Sequence, residues 1–158
     1  MPLAVNDTNQ NVFYDYVLDS IRDVLISEFN YGKIYIAPNI LYKEPFQIRI
    51  WGLSQEETDD ITGSEWQKEY KIEIVLALIN QSNNEQFFKQ LYQDSERIYQ
   101  SLWNNFKGSY AKTVSSKTLH LIDGALDSIE YEIDEEEEID GLHVARIEFT
   151  VLVNREDN

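Results

Sequence analysis

The sequence predicts an α+β domain of two layers, with two helices packed on one face of a mostly antiparallel sheet. Three observations carry that expectation. Trp66–Ile79 places Tyr70, Ile72, Ile74, Leu76 and Leu78 on one face and Lys71 and Glu73 on the other, the period of a strand. Asn11–Phe29 and the stretch from about Ser82 to Phe106 repeat apolar residues at helical spacing. The last third alternates again, so the expected order is α-β-β-β-α-β-β-β.

In the first helix Val12, Phe13, Tyr16, Val17, Ile21, Val24, Leu25 and Phe29 form the apolar stripe, and Asp15, Asp19, Arg22 and Asp23 lie off it. Asp7, Thr8 or Asn9 caps its start and Gly32 stands near the terminating position. A short strand, Lys33–Ile36, precedes Pro38. A second follows Pro45, with Phe46, Ile48 and Ile50 opposite Gln47, Arg49 and Trp51, and Gly52 stops it. Leu53–Glu65 is then a polar, acidic connection longer than a hairpin needs, the tip of an antiparallel hairpin with the strand after it.

From Trp66 to Ile79 that strand spans about 46 Å at roughly 3.3 Å per residue. Trp66–Glu69 and the acidic loop are therefore expected to project as an arm. Beyond Val75 both faces are apolar, as in a strand covered on both sides. Ser82–Glu85 has capping-box spacing, and Phe87, Phe88, Leu91, Tyr92, Ser95, Ile98, Tyr99, Leu102, Trp103 and Phe106 form the second helix's stripe. Ser109–Ser116 reads as a connector. Thr118–Ile122, Leu126–Ile133 and Leu142–Val153 read as strands, the last two joined by the acidic tip Asp134–Gly141. Residues 1–10 and 154–158 read as flexible ends of one domain spanning 1–158.

The chain has 158 residues, a formal net charge of −16 and no cysteine. Thiolate metal sites and disulfides are excluded, and a broad basic surface for nucleic acid is not available. The N-terminus carries no signal-peptide pattern and no apolar run is of membrane-spanning length, so a soluble, cytoplasmically assembled protein is expected.

No Gly-rich phosphate loop, nucleophile elbow or His-x-x-x-His pattern is present. The Asp134–Glu138 run lacks calcium-loop spacing and reads better as a solvated hairpin tip than as a metal site. His120 and His143, far apart in sequence, lack a third ligand or a nucleophile beside them. No catalytic, cofactor or metal site is expected. The 10 tyrosines, seven phenylalanines and three tryptophans are more informative. Phe13, Tyr16, Phe29, Phe87, Phe88 and Tyr92 suit the core. Trp51, Trp66, Tyr35 and Tyr131 sit on faces or edges that two helices need not cover, and Tyr and Trp are enriched at interfaces. With the acidic residues Glu56, Glu57, Asp59 and Asp60 they are the candidate contact residues.

The helix Asn11–Phe29, the hairpin of Phe46–Gly52 with Trp66–Ile79, the helix Asn84–Phe106 and the closing strands ending at Val153 resemble, in that order, the tail-terminator (tail-completion) and related neck proteins of long-tailed bacteriophages. The resemblance is of architecture over nearly the whole chain, without a shared motif. It implies a structural virion protein, not an enzyme: a homo-hexameric ring that caps the tail tube and joins it to the head, in contact with the tail tube protein and head–tail connector or neck proteins. DNA would pass through without specific binding, and an acidic wall suits such a conduit. Leu142–Val153 or Lys33–Ile36 are the strands expected to pair between subunits. A head–tail connector or stopper is the nearest alternative. An acidic module that binds or inhibits a basic protein is an alternative of another class.

Overall fold

The structure is a computed structural model, described for residues 11–30, 33–40, 44–58, 65–79, 85–133 and 142–156, with the backbone alone at 65, 66, 133, 155 and 156. The expected caps at Asp7–Asn9 and Ser82, and the tip Asp134–Gly141, lie outside the described residues.

The first helix opens with π-helical Phe13–Leu18 and continues as α1, Asp19–Phe29. Asn11 Oδ1 accepts the Tyr14 N–H at 3.2 Å, satisfying one donor at the helix start. The helix closes on Asn30, left-handed at φ 50°, one of the few residue types that adopts this conformation readily; Gly32 lies outside the described residues.

Strands β1 (Ile34–Tyr35), β2 (Phe46–Glu57) and β3 (Glu65–Ile79) precede helix α2 (Glu85–Phe106). Strands β4 (Ser109–Val114), β5 (Lys117–Ile133) and β6 (Leu142–Glu156) follow it. They make one six-stranded sheet in the order β1-β2-β3-β6-β5-β4. Only β1 on β2 is parallel; every other pair is antiparallel.

Several boundaries differ from the sequence expectation. Gly52 does not end β2, which passes a bulge between Gly52 and Ser54 and runs on to Glu57. The supposed connector Ser109–Ser116 is β4 and its turn, with Ser115 and Ser116 both at positive φ. Two expected strands are one, because bulges between Ile122 and Ala125 and between Leu126 and Ser128 bend β5 without breaking it. The tail is not loose up to Glu156: β6 continues there, with Asn154 opposite Gln67 and Glu156 opposite Glu65.

The expected arm is also absorbed. Trp66–Glu69 pairs with Leu152–Arg155, and β6 in turn pairs with β5, so this end of β3 lies inside the sheet. The strand is long because two long partners run beside it.

The main core lies between the helices and one sheet face. Tyr70, Ile72, Ile74, Leu76 and Leu78 are buried there against Ile48, Ile50, Ala145, Ile147, Phe149, Val151 and Val153, beneath Tyr16, Ile21, Leu25, Leu91, Ile98, Leu102 and Phe106. Val75, Ala77 and Val144 form a second, small cluster on the opposite face with Ile40, Trp51 and Leu142 packed against it. The inner half of β3 is thus covered on both sides, as its doubly apolar sequence requires. Tyr92, expected in the core, turns outward and is 47% exposed, and Trp103 of the same helical stripe is 42% exposed.

Leu76→Ala is expected to cost about 2–5 kcal/mol in a urea titration, as deletion of a wholly buried side chain does. At the β5 bend, a Cβ on Gly124 would lie 2.6 Å from Phe149 Cζ, 2.8 Å from Phe106 Cβ and 3.0 Å from the Phe106 carbonyl oxygen. Gly124→Ala should therefore lower stability by about 1–3 kcal/mol, the range for overpacking. An unchanged urea midpoint would mean that β5 does not bend against α2 at this glycine.

Candidate interaction surface

On the sheet face away from the helices, β2 places Gln47, Arg49 and Trp51 side by side along one row. Trp51 is half-buried against the small second cluster. The Arg49 guanidinium lies 4.2 Å over the Tyr35 ring and its Nε donates to Gln47 Oε1 at 3.0 Å. Tyr35 Oη donates to Glu44 Oε1 at 2.8 Å, with Lys33 Nζ 4.0 Å from the same oxygen. Arg49 is only 4% exposed, so this network is an interior part of the fold rather than a free contact patch. The sequence placed Tyr35 and Trp51 at a surface; the structure holds both half-covered, on the same side of the sheet.

The acidic end of the hairpin is separate. Glu56 and Glu57 are exposed, paired in register with Glu69 and Lys68. Lys68 Nζ donates to Gln55 Oε1 at 2.5 Å. Trp66 lies two residues beyond Lys68, opposite Arg155, and its side chain lies outside the described residues, as do Asp59 and Asp60.

Tyr131 lies at the other edge of the sheet, toward the end of β5. Its ring meets Tyr92 of α2 edge-on at 4.9 Å, and its hydroxyl is 2.9 Å from Ser95 Oγ. Tyr131 remains 40% exposed. On the same helix Tyr99 and Trp103 stand 6.2 Å apart, continuing an outward aromatic stripe at positions 92, 99 and 103. All three belong to the helix's apolar stripe in sequence, and helical spacing alone does not say which flank of a wide apolar face the sheet covers.

The strand expected to pair between subunits, Leu142–Val153, is not available. It is β6, bonded to β3 on one side and β5 on the other. β1 does lie at an edge, but it spans two residues only. The longer open margins are elsewhere. β1 pairs with Ile48 and Arg49 alone, and β4 covers β5 only from Lys117 to Ile122. On their outer sides the far part of β2, residues 123–133 of β5 and the whole of β4 therefore have no strand beside them among the described residues.

Between α1, α2 and β4 opens a polar cleft of about 260 Å³, lined by Asp23, Ser27, Glu28, Asn104, Asn105 and Tyr110 among others. Its carboxylates are tied into the fold: Lys112 Nζ donates to Asp23 at 2.8 Å and to Asp19 at 3.1 Å, and Arg97 reaches Glu28 at 3.2 Å. Burial, and then the charge of Asp23, raises the Tyr110 phenol above its ordinary range. The histidines do not meet. His143 is buried between the Phe87 and Phe88 rings, whereas His120 is exposed toward the other end of β6, opposite Asn154. Among the described residues no group of three His, Asp or Glu is placed to hold a metal ion, and no helix is long and apolar enough to cross a membrane.

No family model matches the sequence, and no curated protein does. Among solved structures the chain is similar to one from the virion of a native gene transfer agent (GTA) particle, with a TM-score of 0.53 at 7% identity. The match covers 89% of this chain and 99% of that one, so the two share a fold over almost their full lengths.

The Lys112 bridge has a pH signature. Burial alone would raise the Asp19 carboxyl, but hydrogen bonds from Arg22 and Lys112 outweigh it and hold the group below its ordinary value. The stabilisation is thus present above the unfolded carboxylate pKa of about 4 and is lost as pH falls through the lower folded value. Asp19→Asn should cost about 1 kcal/mol at pH 7, an ion-pair contribution discounted for partial exposure. Thermal melts of the two proteins should converge in acid; a difference that persists there would mean that the bridge is not electrostatic.

Proposed function

We propose that this protein is a structural subunit of a phage-like virion, and more narrowly a ring-forming tail terminator that caps the tail tube and joins it to the head. One observation carries the reading: a fold shared over 89% of this chain with a chain of a virion particle. The partners on this reading are five further copies in a hexamer, the tail tube protein and the head–tail connector or neck proteins. Glu56 and Glu57, with Asp59 and Asp60 next in sequence, would form an acidic collar around the lumen. DNA carries its own dense negative charge, so it slides past such a wall without sticking. Trp51, Tyr35, Trp66 and Tyr131 are the aromatic contacts proposed for neighbouring subunits. A head–tail connector or stopper is the second reading, because the matched chain is described only as part of a virion. Recovery with tail tubes rather than with capsids separates the two.

Subunits of charge −16 repel one another, so closure of a ring is favoured when salt shortens the screening length from about 10 Å at 0.1 M toward about 3 Å at 1 M. Native mass spectrometry and negative-stain images are expected to show six-fold rings that increase with salt, alone or on purified tail tubes. Monomer under every one of those conditions removes the ring. Trp66→Ala should leave the monomer's melting temperature near that of the parent and weaken assembly. Replacing Glu56 and Glu57 by Lys should change stability by no more than about 0.5 kcal/mol. The same replacement should lower the yield of DNA-filled particles; an unchanged yield takes the acidic collar away from the lumen.

A further inference from the structure

We infer that the open margin of β5, residues 123–133, is a docking edge for an extended segment of another protein in which apolar and basic residues alternate. Backbone geometry gives the first reason. β5 is hydrogen-bonded to β6 on one side, while on the other β4 stops at Ile122, and no backbone bond reaches residues 123–133 among the described residues. An ordered strand with free donors and acceptors is a template for one more strand.

Side chains on the two faces of this edge select what the added strand must carry. On the helix side, Ile129 and Tyr131 stand in register with Ile147 and Ala145, and the exposed Tyr92–Tyr131 pair extends the apolar surface outward. On the other side Ser128, Glu130 and Glu132 face solvent or lie near it. Residues 118–133 contain Asp123, Asp127, Glu130 and Glu132 and neither lysine nor arginine. Glu132 is held by Arg146 at 2.7 Å, whereas Glu130 and Asp123 have no ion pair among the described residues. A strand laid here meets tyrosines with one set of alternate residues and carboxylates with the other, at the spacing where cross-strand pairs interact.

Charge decides among the occupants. Among the described residues a second copy could bring the far part of β2, which carries Glu56 and Glu57, or the outer edge of β4, whose one lysine, Lys112, is already held by Asp19 and Asp23; the first brings acid against acid and the second offers no unpaired lysine. Like charges directly opposite across a ladder are destabilising. A basic partner segment has no such conflict. The edge shares Tyr131 with the subunit contacts proposed above, but its test reads peptide binding and not ring formation, so the two readings can fail separately.

The probe is a blocked peptide alternating arginine with valine, compared with its glutamate–valine counterpart, added to the full chain at low salt. Amide hydrogen exchange should slow selectively at residues 125–133 with the basic peptide and not with the acidic one, and the effect should fade as salt is raised. Glu130→Lys should weaken binding by about tenfold or more, as loss of a close charge pair does. Tyr92→Ser should weaken binding while leaving its salt dependence unchanged, which keeps a second readout should the charge reversal fail to fold. Protection elsewhere, equal protection by both peptides, or protection of these amides by self-association without peptide each overturns the proposal.

Discussion

Everything in this fold leans on β3. Its alternate residues Ile72, Ile74 and Leu76 have no exposed surface, and Val75 and Ala77 on the reverse face are buried as well. A strand buried on both faces has no water with which to satisfy its backbone, so it must be paired on both sides. β2 and β6 supply that pairing along nearly its whole length. Burial of this one strand therefore dictates two long neighbours, and β6 in turn requires β5. Both helices then cover the inner face, and Ile40 packs on the small cluster of the outer one.

The sequence made this centre legible because the pattern is redundant. Alternation in β3, β6 and the start of β2, with the helical stripes of α1 and α2, each specifies the same buried face. What was not legible depends on partners remote in sequence. Ser109–Val114 looks like a connector because its burial is only partial, and it is a strand solely because β5 lies beside it. Glu56, Glu57 and Glu156 are exposed or polar residues held in the sheet by register rather than by hydrophobic pattern. Trp66 was read as part of a projecting arm for the same reason: nothing local says that residues 152–155 run alongside. Of the aromatic candidate contacts, Tyr131 is the one whose exposure follows from its place at an edge; Arg49 lies over Tyr35, and Trp51 packs on the Val75, Ala77 and Val144 cluster, which composition does not reveal.

The bend in β5 ties fold to surface. Asp123 is at positive φ and Gly124 has no room for a side chain between Phe106 and Phe149. Packing of the α2 C-terminus against β6 thus forces β5 to turn, and at that turn it parts from β4. The open edge beyond is a direct consequence of core packing, not of loop chemistry. It also brings Tyr131 under α2, where Ser95 fixes its hydroxyl and Tyr92 supports its ring.

Charge then determines what this surface can meet. Of the 13 basic residues, Arg22, Lys33, Arg97, Lys112 and Arg146 are engaged in ion pairs inside the chain, where they link α1 to β4, α1 to α2, and β3 to β6 and β5. These five cations are taken up within the fold, and the 29 acidic residues are in large excess over all 13 basic ones. A surface of that kind repels copies of itself and nucleic acid alike at low salt, and attracts cationic protein. Contacts between copies must then be won by aromatic and apolar burial or by screening, whereas contacts with a basic partner gain from the bare charge. The two kinds of contact respond to salt in opposite directions, and that opposition follows from where this chain has placed its few positive charges.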